Sequence, residues 1–148
     1  MHTKLIHQSA DGQRTFGVVL ETGEEVAGQI KALADREKLK AAQLTAIGAF
    51  SDAVLGYFDW EQKQYRRNPI NEQVEVAAFI GDIALSTNDE RSLHVHVVLG
   101  RRDATALAGH LLEAHVRPTL ELILTEHPAH LRKRRDPESG LALIDPRE

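Results

Sequence analysis

The chain has 148 residues, no cysteine, and 22 acidic against 18 basic side chains, for a formal charge of −4. This length suits one domain burying roughly 68–70% of its unfolded surface, and the absence of cysteine excludes disulfides, thiolate nucleophiles, iron–sulfur clusters and cysteine-type zinc fingers. Any metal must sit on nitrogen or oxygen, nucleic acid would need a local basic patch, and with no secretory h-region and no run of about 20 apolar residues we expect a cytoplasmic protein with no membrane partner.

In chain order, "TKLIHQ" and "TFGVVLE" read as two strands joined by "SADGQR", whose Asp11-Gly12 pair is a turn signal at hairpin spacing. A helix follows. Thr22 and Glu25 have capping-box spacing, and Val26, Ile30 and Leu33 recur at steps of four and three before Lys38 and Lys40. From Ala42 to Asp59 two apolar runs break around Gly48 and Ser51-Asp52, which predicts two strands with a bend. "NEQVEVAAFIGDIAL" and "SLHVHVVLG", separated by the polar loop "STNDER", read as an antiparallel pair. "ATALAGHLLEAHV" is helical by propensity, although Gly109 in its middle weakens that assignment. "PTLELILTE" reads as a last core strand with Pro118 at its start, and the tail from His130 is charged and turn-rich. With no repeat or linker, the expectation is one α+β domain over residues 1–148.

In a strand, His94 and His96 project from one face while Val95, Val97 and Leu99 project from the other. Two readings fit that pattern. The pair, joined by His110 behind Gly109, could hold one divalent ion on three neutral imidazoles with a fourth position open. Alternatively, both histidines lie on the solvent face of an edge strand.

The segment "FIGDIALSTNDERSLHVHVVLGRRDATALAGHLLEAHVRPTLELIL" resembles the core signature of the PPC domain family (plants and prokaryotes conserved). The matching features are Gly81 after a core strand, the L-H-x-H strand Leu93 to His96, Ala108-Gly109-His110 in place of a G-G-H turn, and Glu121 in the final strand. Upstream, Glu75 in "QVEVAAFIG" and Tyr65 after "AIGAFSDAVLGYFD" are similar to the family pattern, which extends over about residues 4–145. Ala108 departs from the first glycine of G-G-H. The resemblance implies a mainly antiparallel β-sheet flanked by helices, a homotrimer, and a divalent metal on His94, His96 and His110. It also implies a loop and turn, not a helix, around Gly109. Apolar strands such as "VEVAAFI" and "TLELILT" offer more surface than one helix can cover, which agrees with self-association.

Two function classes follow. One is a metal-binding trimer, an enzyme or not, whose metal is zinc first, with nickel, iron or manganese as alternatives, and whose open position would take a small-molecule ligand. Its carboxylate partner would be Glu121, ahead of Glu113 and Asp82. The other is a regulatory association module that contacts nucleic acid. The plant proteins use an AT-hook for DNA, and this chain has no R-G-R-P hook. Its basic candidates are Arg132, Lys133, Arg134 and Arg135, with Arg66-Arg67 and Arg101-Arg102 as lesser pairs, and any DNA binding through them would be weak and non-specific.

Overall fold

The computed structural model describes residues 1–147, so the last residue of the expected domain, Glu148, lies outside the described residues. The elements are β1 (His2–Gln8), β2 (Arg14–Glu21), α1 (Val26–Arg36), β3 (Ala41–Asp59), β4 (Gln64–Ile70), β5 (Val74–Leu85), β6 (Arg91–Gly100), β7 (Ala106–Glu126), β8 (Lys133–Arg135) and β9 (Ala142–Ile144). The fold is mostly antiparallel β-sheet with one short helix. A seven-stranded sheet runs in the order β1-β2-β7-β6-β5-β3-β4, and an additional β7–β3 pairing joins its middle into a ring, β3-β5-β6-β7. β8 and β9 form a separate two-stranded sheet. Among the described residues no helix is long and apolar enough to cross a membrane.

Two long strands make the closure. The first part of β7 pairs with β6 and with the end of β3, while its second part pairs with β2 and the start of β3. β3 bends where its register slips around Gly48. That glycine sits at φ +152°, and a Cβ there would collide with the Thr119 carbonyl. Only glycine lets the two backbones approach this closely, and the bulge supplies the curvature that closure needs.

The apolar side chains follow from this path. α1 buries Val26, Ile30, Leu33 and Ala34, and the strands bury Phe16, Val18, Leu20, Phe50, Phe79, Val97, Leu99, Leu120, Leu122 and Leu124 in the same core. Each large side chain contributes about 1.5–3 kcal/mol by leaving water. The helix cap differs from the capping-box expectation. Glu25 is the N-cap, accepting from the backbone N–H of Ala27 and Gly28, whereas the Thr22 hydroxyl donates to the Pro118 carbonyl at 3.1 Å.

Three further expectations need correction. The segment from Ala42 to Asp59 is one bulged strand, not two. From Ala106 onward "ATALAGHLLEAHV" is neither helix nor loop and turn: it is the first half of β7, because β6 and β3 pair with it on both sides. Pro118 therefore lies inside a strand, after a cis peptide bond from Arg117. Finally, one helix covers the sheet where flanking helices were expected.

Candidate metal centre

The alternation in β6 holds. Val95, Val97 and Leu99 are buried in the core, while His94 is half-buried and His96 exposed on the opposite face. Register then brings the third histidine alongside, since His96 lies opposite His110 in β7 and His94 lies opposite Asp82 in β5. One nitrogen from each of His94, His96 and His110 lies within 4.8 Å of the others. Ring centroids are 5.1 Å apart for His94–His96 and His94–His110, and 5.4 Å for His96–His110.

β4 holds the back of the site. Tyr65 stacks on His110 with centroids 4.8 Å apart and planes at 27°. A Cβ on Gly56, the strand residue opposite His110, would come within 2.8 Å of the Tyr65 ring, so this glycine leaves the space that the stack occupies.

Partial desolvation by the surrounding side chains lowers the His96 imidazole below its ordinary pKa, with His94 adding to the effect. For His110, burial and then the neighbouring His94, His96 and Lys133 lower it to about 4. Both rings are therefore neutral at physiological pH and keep the lone pairs a metal needs. His110 Nδ1 is buried with no hydrogen-bond partner among the described residues. A polar atom left in that state costs about 1–3 kcal/mol, and a cation removes the deficit when Nδ1 is the unprotonated nitrogen of the ring. The donor set, three imidazoles, fits a divalent transition metal.

This has a consequence for acid stability. Above about pH 6.5 both the folded and the unfolded chain hold His110 neutral. As pH falls from there to about 4, only the unfolded chain binds the proton, so stability falls through that window. In metal-free protein, His110→Asn should reduce the loss of unfolding free energy between about pH 7 and about pH 5 by about 1–2 kcal/mol. Urea unfolding at the two pH values measures it; identical losses in parent and variant would contradict the burial of this ring.

The carboxylate beside the rings is Asp82. Its Oδ2 is 3.4 Å from His94 Nδ1 and its Oδ1 is 2.8 Å from Lys133 Nζ. Burial alone would push the Asp82 carboxyl up, but His94 and Lys133 more than reverse this and hold it below the usual carboxylate range. Glu121 lies elsewhere, exposed in β7 between Val19 and Ile47. Glu113 pairs with Arg67 at 3.1 Å.

A pocket of about 650 Å³ opens beside His94 and His96, walled in part by Leu44, Thr45, Ile80 and Leu131. His127 also lines it. This residue matches nothing in the family signature, and "EHPAH" reads as a turn region, so it is not among the expected ligands. His115 instead pairs with Asp52 at 2.8 Å.

The basic run is divided by burial and pairing. Lys133 is buried, Arg132 pairs with Asp89 at 2.8 Å, and Arg134 lies 3.5 Å from Asp145. Arg66 pairs with Asp59, and Arg101 with Glu72 at 2.8 Å.

A family model described as the Plants and Prokaryotes Conserved (PCC) domain matches residues 7–128. The chain belongs to this family. Several solved structures superpose over most of its length. A plant- and prokaryote-conserved protein from Pyrococcus horikoshii is 30% identical, with a TM-score of 0.83 over 89% of this chain and 91% of its own. A metal-containing protein from Archaeoglobus fulgidus is 29% identical, with a TM-score of 0.81 over 88% and 91%. A candidate DNA-binding protein from Bacteroides thetaiotaomicron is 27% identical, with a TM-score of 0.86 over 90% and 93%. No curated protein matches the sequence.

Proposed function

We propose that this PCC-domain chain is a homotrimeric metal-binding protein whose His94, His96 and His110 hold one divalent ion, zinc first, with a coordination position left for a small ligand. The observation that carries this reading is the orphaned Nδ1 of His110 inside a cluster of three histidines. The metal-containing relative from Archaeoglobus fulgidus supports it. Bound there, a divalent ion would supply Lewis acidity to a ligand or to water. The protein's part is to keep the His96 and His110 imidazoles neutral, to hold the His110 ring against Tyr65, and to offer the apolar-walled pocket to whatever binds. Titration of chelator-stripped protein with Zn²⁺ tests the reading. Uptake of one ion per chain supports it, and no uptake at micromolar Zn²⁺ overturns it.

The trimer is supported by the face that carries the site. Ile47, Ile80 and Ile123 are 63%, 64% and 47% exposed, and Thr45 links Ile80 to Ile123 across the sheet. Three large aliphatic side chains this close together on a sheet face support a contact with a second copy of the chain.

A second reading, DNA association, is favoured by the candidate DNA-binding relatives from Bacteroides thetaiotaomicron and Ralstonia eutropha. Arg66, Arg101, Arg132 and Lys133 each have an acid beside them, so these four charges are partly compensated before a phosphate backbone approaches. We expect duplex DNA to bind with Kd no tighter than about 10⁻⁶ M at physiological salt, with no sequence preference and a steep salt dependence. Fluorescence anisotropy on unrelated duplexes measures this, and nanomolar, sequence-selective binding would put the second reading first.

A further inference from the structure

We propose that Lys133 is a positioning residue for the metal centre: through Asp82 it fixes the His94 ring so that Nδ1 carries the proton and Nε2 is free for the ion. The inference rests on the metal-binding reading above and concerns a residue beyond residues 7–128, the part of the chain that the family model matches.

After β7 the chain returns along the edge of the site. His127 N–H donates to the Ala41 carbonyl at 2.9 Å, Leu85 N–H to Leu131 at 2.8 Å, and Asp145 N–H to Arg132 at 2.9 Å. Leu85 and Arg132 also form a parallel bridge. These bonds pin the returning strap to the beginning of β3 and the end of β5. Leu131 thereby walls the pocket, and Lys133 is driven inward with a side chain only 2% exposed.

A buried ammonium is costly unless it is paired, and for packing alone an apolar residue of similar volume would serve as well or better. What Lys133 adds is a fixed charge at 2.8 Å from Asp82 Oδ1. That oxygen is buried and makes no aligned hydrogen bond among the described residues, so the lysine charge is its compensation. Held there, Asp82 presents its other oxygen to His94 Nδ1 at 3.4 Å. A carboxylate beside a ring nitrogen favours the proton on that nitrogen and leaves the second lone pair for a metal, the arrangement that outer carboxylates impose on ligand histidines. Without the lysine, Asp82 keeps a desolvated charge with one partner fewer, and its easiest relief is to turn away from His94 toward water.

The test has a metal-free arm and a metal arm. Long-range ¹H–¹⁵N spectra of metal-free, ¹⁵N-labelled protein report the His94 tautomer. We expect one Nδ1–H tautomer in the parent, a mixture in Lys133→Met, and substantial recovery in Lys133→Arg. Competition with a chelator for Zn²⁺ should show about 10–100-fold weaker binding in Lys133→Met. In an Asp82→Asn background the same lysine change should add little. Should Lys133→Met fail to fold, Asp82→Asn alone breaks the same link from the other side. A parent-like tautomer in whichever variant folds overturns the inference. If the parent takes up no Zn²⁺, the metal-binding reading falls, and the tautomer spectra still decide whether Lys133 orders His94.

Discussion

His96→Ala is expected to weaken Zn²⁺ binding by more than about 100-fold, because an outer-shell partner alone is worth about 10–100-fold and a ligand is worth more. The fold should survive, since His96 projects from the exposed face of β6 and buries nothing in the core. His130→Ala is the control: that residue is exposed, outside the cluster, and should change neither metal content nor stability. Chelator competition on the two variants makes the comparison. Equal affinity in His96→Ala and parent would reduce the three histidines to a polar strand face.

The second large effect concerns assembly. At micromolar concentration the parent should sediment at three times the mass of one chain, and Ile47→Glu with Ile80→Glu should sediment as a single chain. Burying one isoleucine side chain in a contact is worth about 1.5–3 kcal/mol, while burying an unpaired carboxylate in its place is strongly unfavourable. Both residues are more than 60% exposed in the isolated chain, so the substitutions leave its core untouched. A monomeric parent, or a double variant that remains trimeric, would contradict the assignment of this face. Ile80 lines the pocket beside His94 and His96, so the same experiment asks whether a neighbouring chain completes the wall of the site.

The first hairpin was readable because Asp11-Gly12 is a local turn signal, and the facing of His94 and His96 was readable because strand alternation needs no tertiary knowledge. β7 was not, for two reasons. Its leading residues have high helix propensity, overridden only by pairing with two strands distant in sequence. Its alternation is also broken: Leu111 is buried, then Ala114, Val116 and Leu120, and the parity changes where the register with β3 slips near Val54 and Leu55. A period of two interrupted by a bulge looks like no period at all.

The site's carboxylate was hidden in a different way. Nothing local distinguishes Asp82 from Glu121. The difference is made by the β5–β6 register, which sets Asp82 against His94, and by a lysine that enters from more than thirty positions away in a basic run. Read as a sequence, that run is a solvated charge cluster. Folded as β8, it buries Lys133 and leaves Arg134 and Arg135 exposed.

The account stands or falls on the ion. Elemental analysis of protein purified without chelators, alongside a His94→Ala, His96→Ala, His110→Ala variant purified identically, tests it most directly. One equivalent of a divalent transition metal per chain in the parent and none in the variant is the predicted result. The same metal content in both proteins would contradict it.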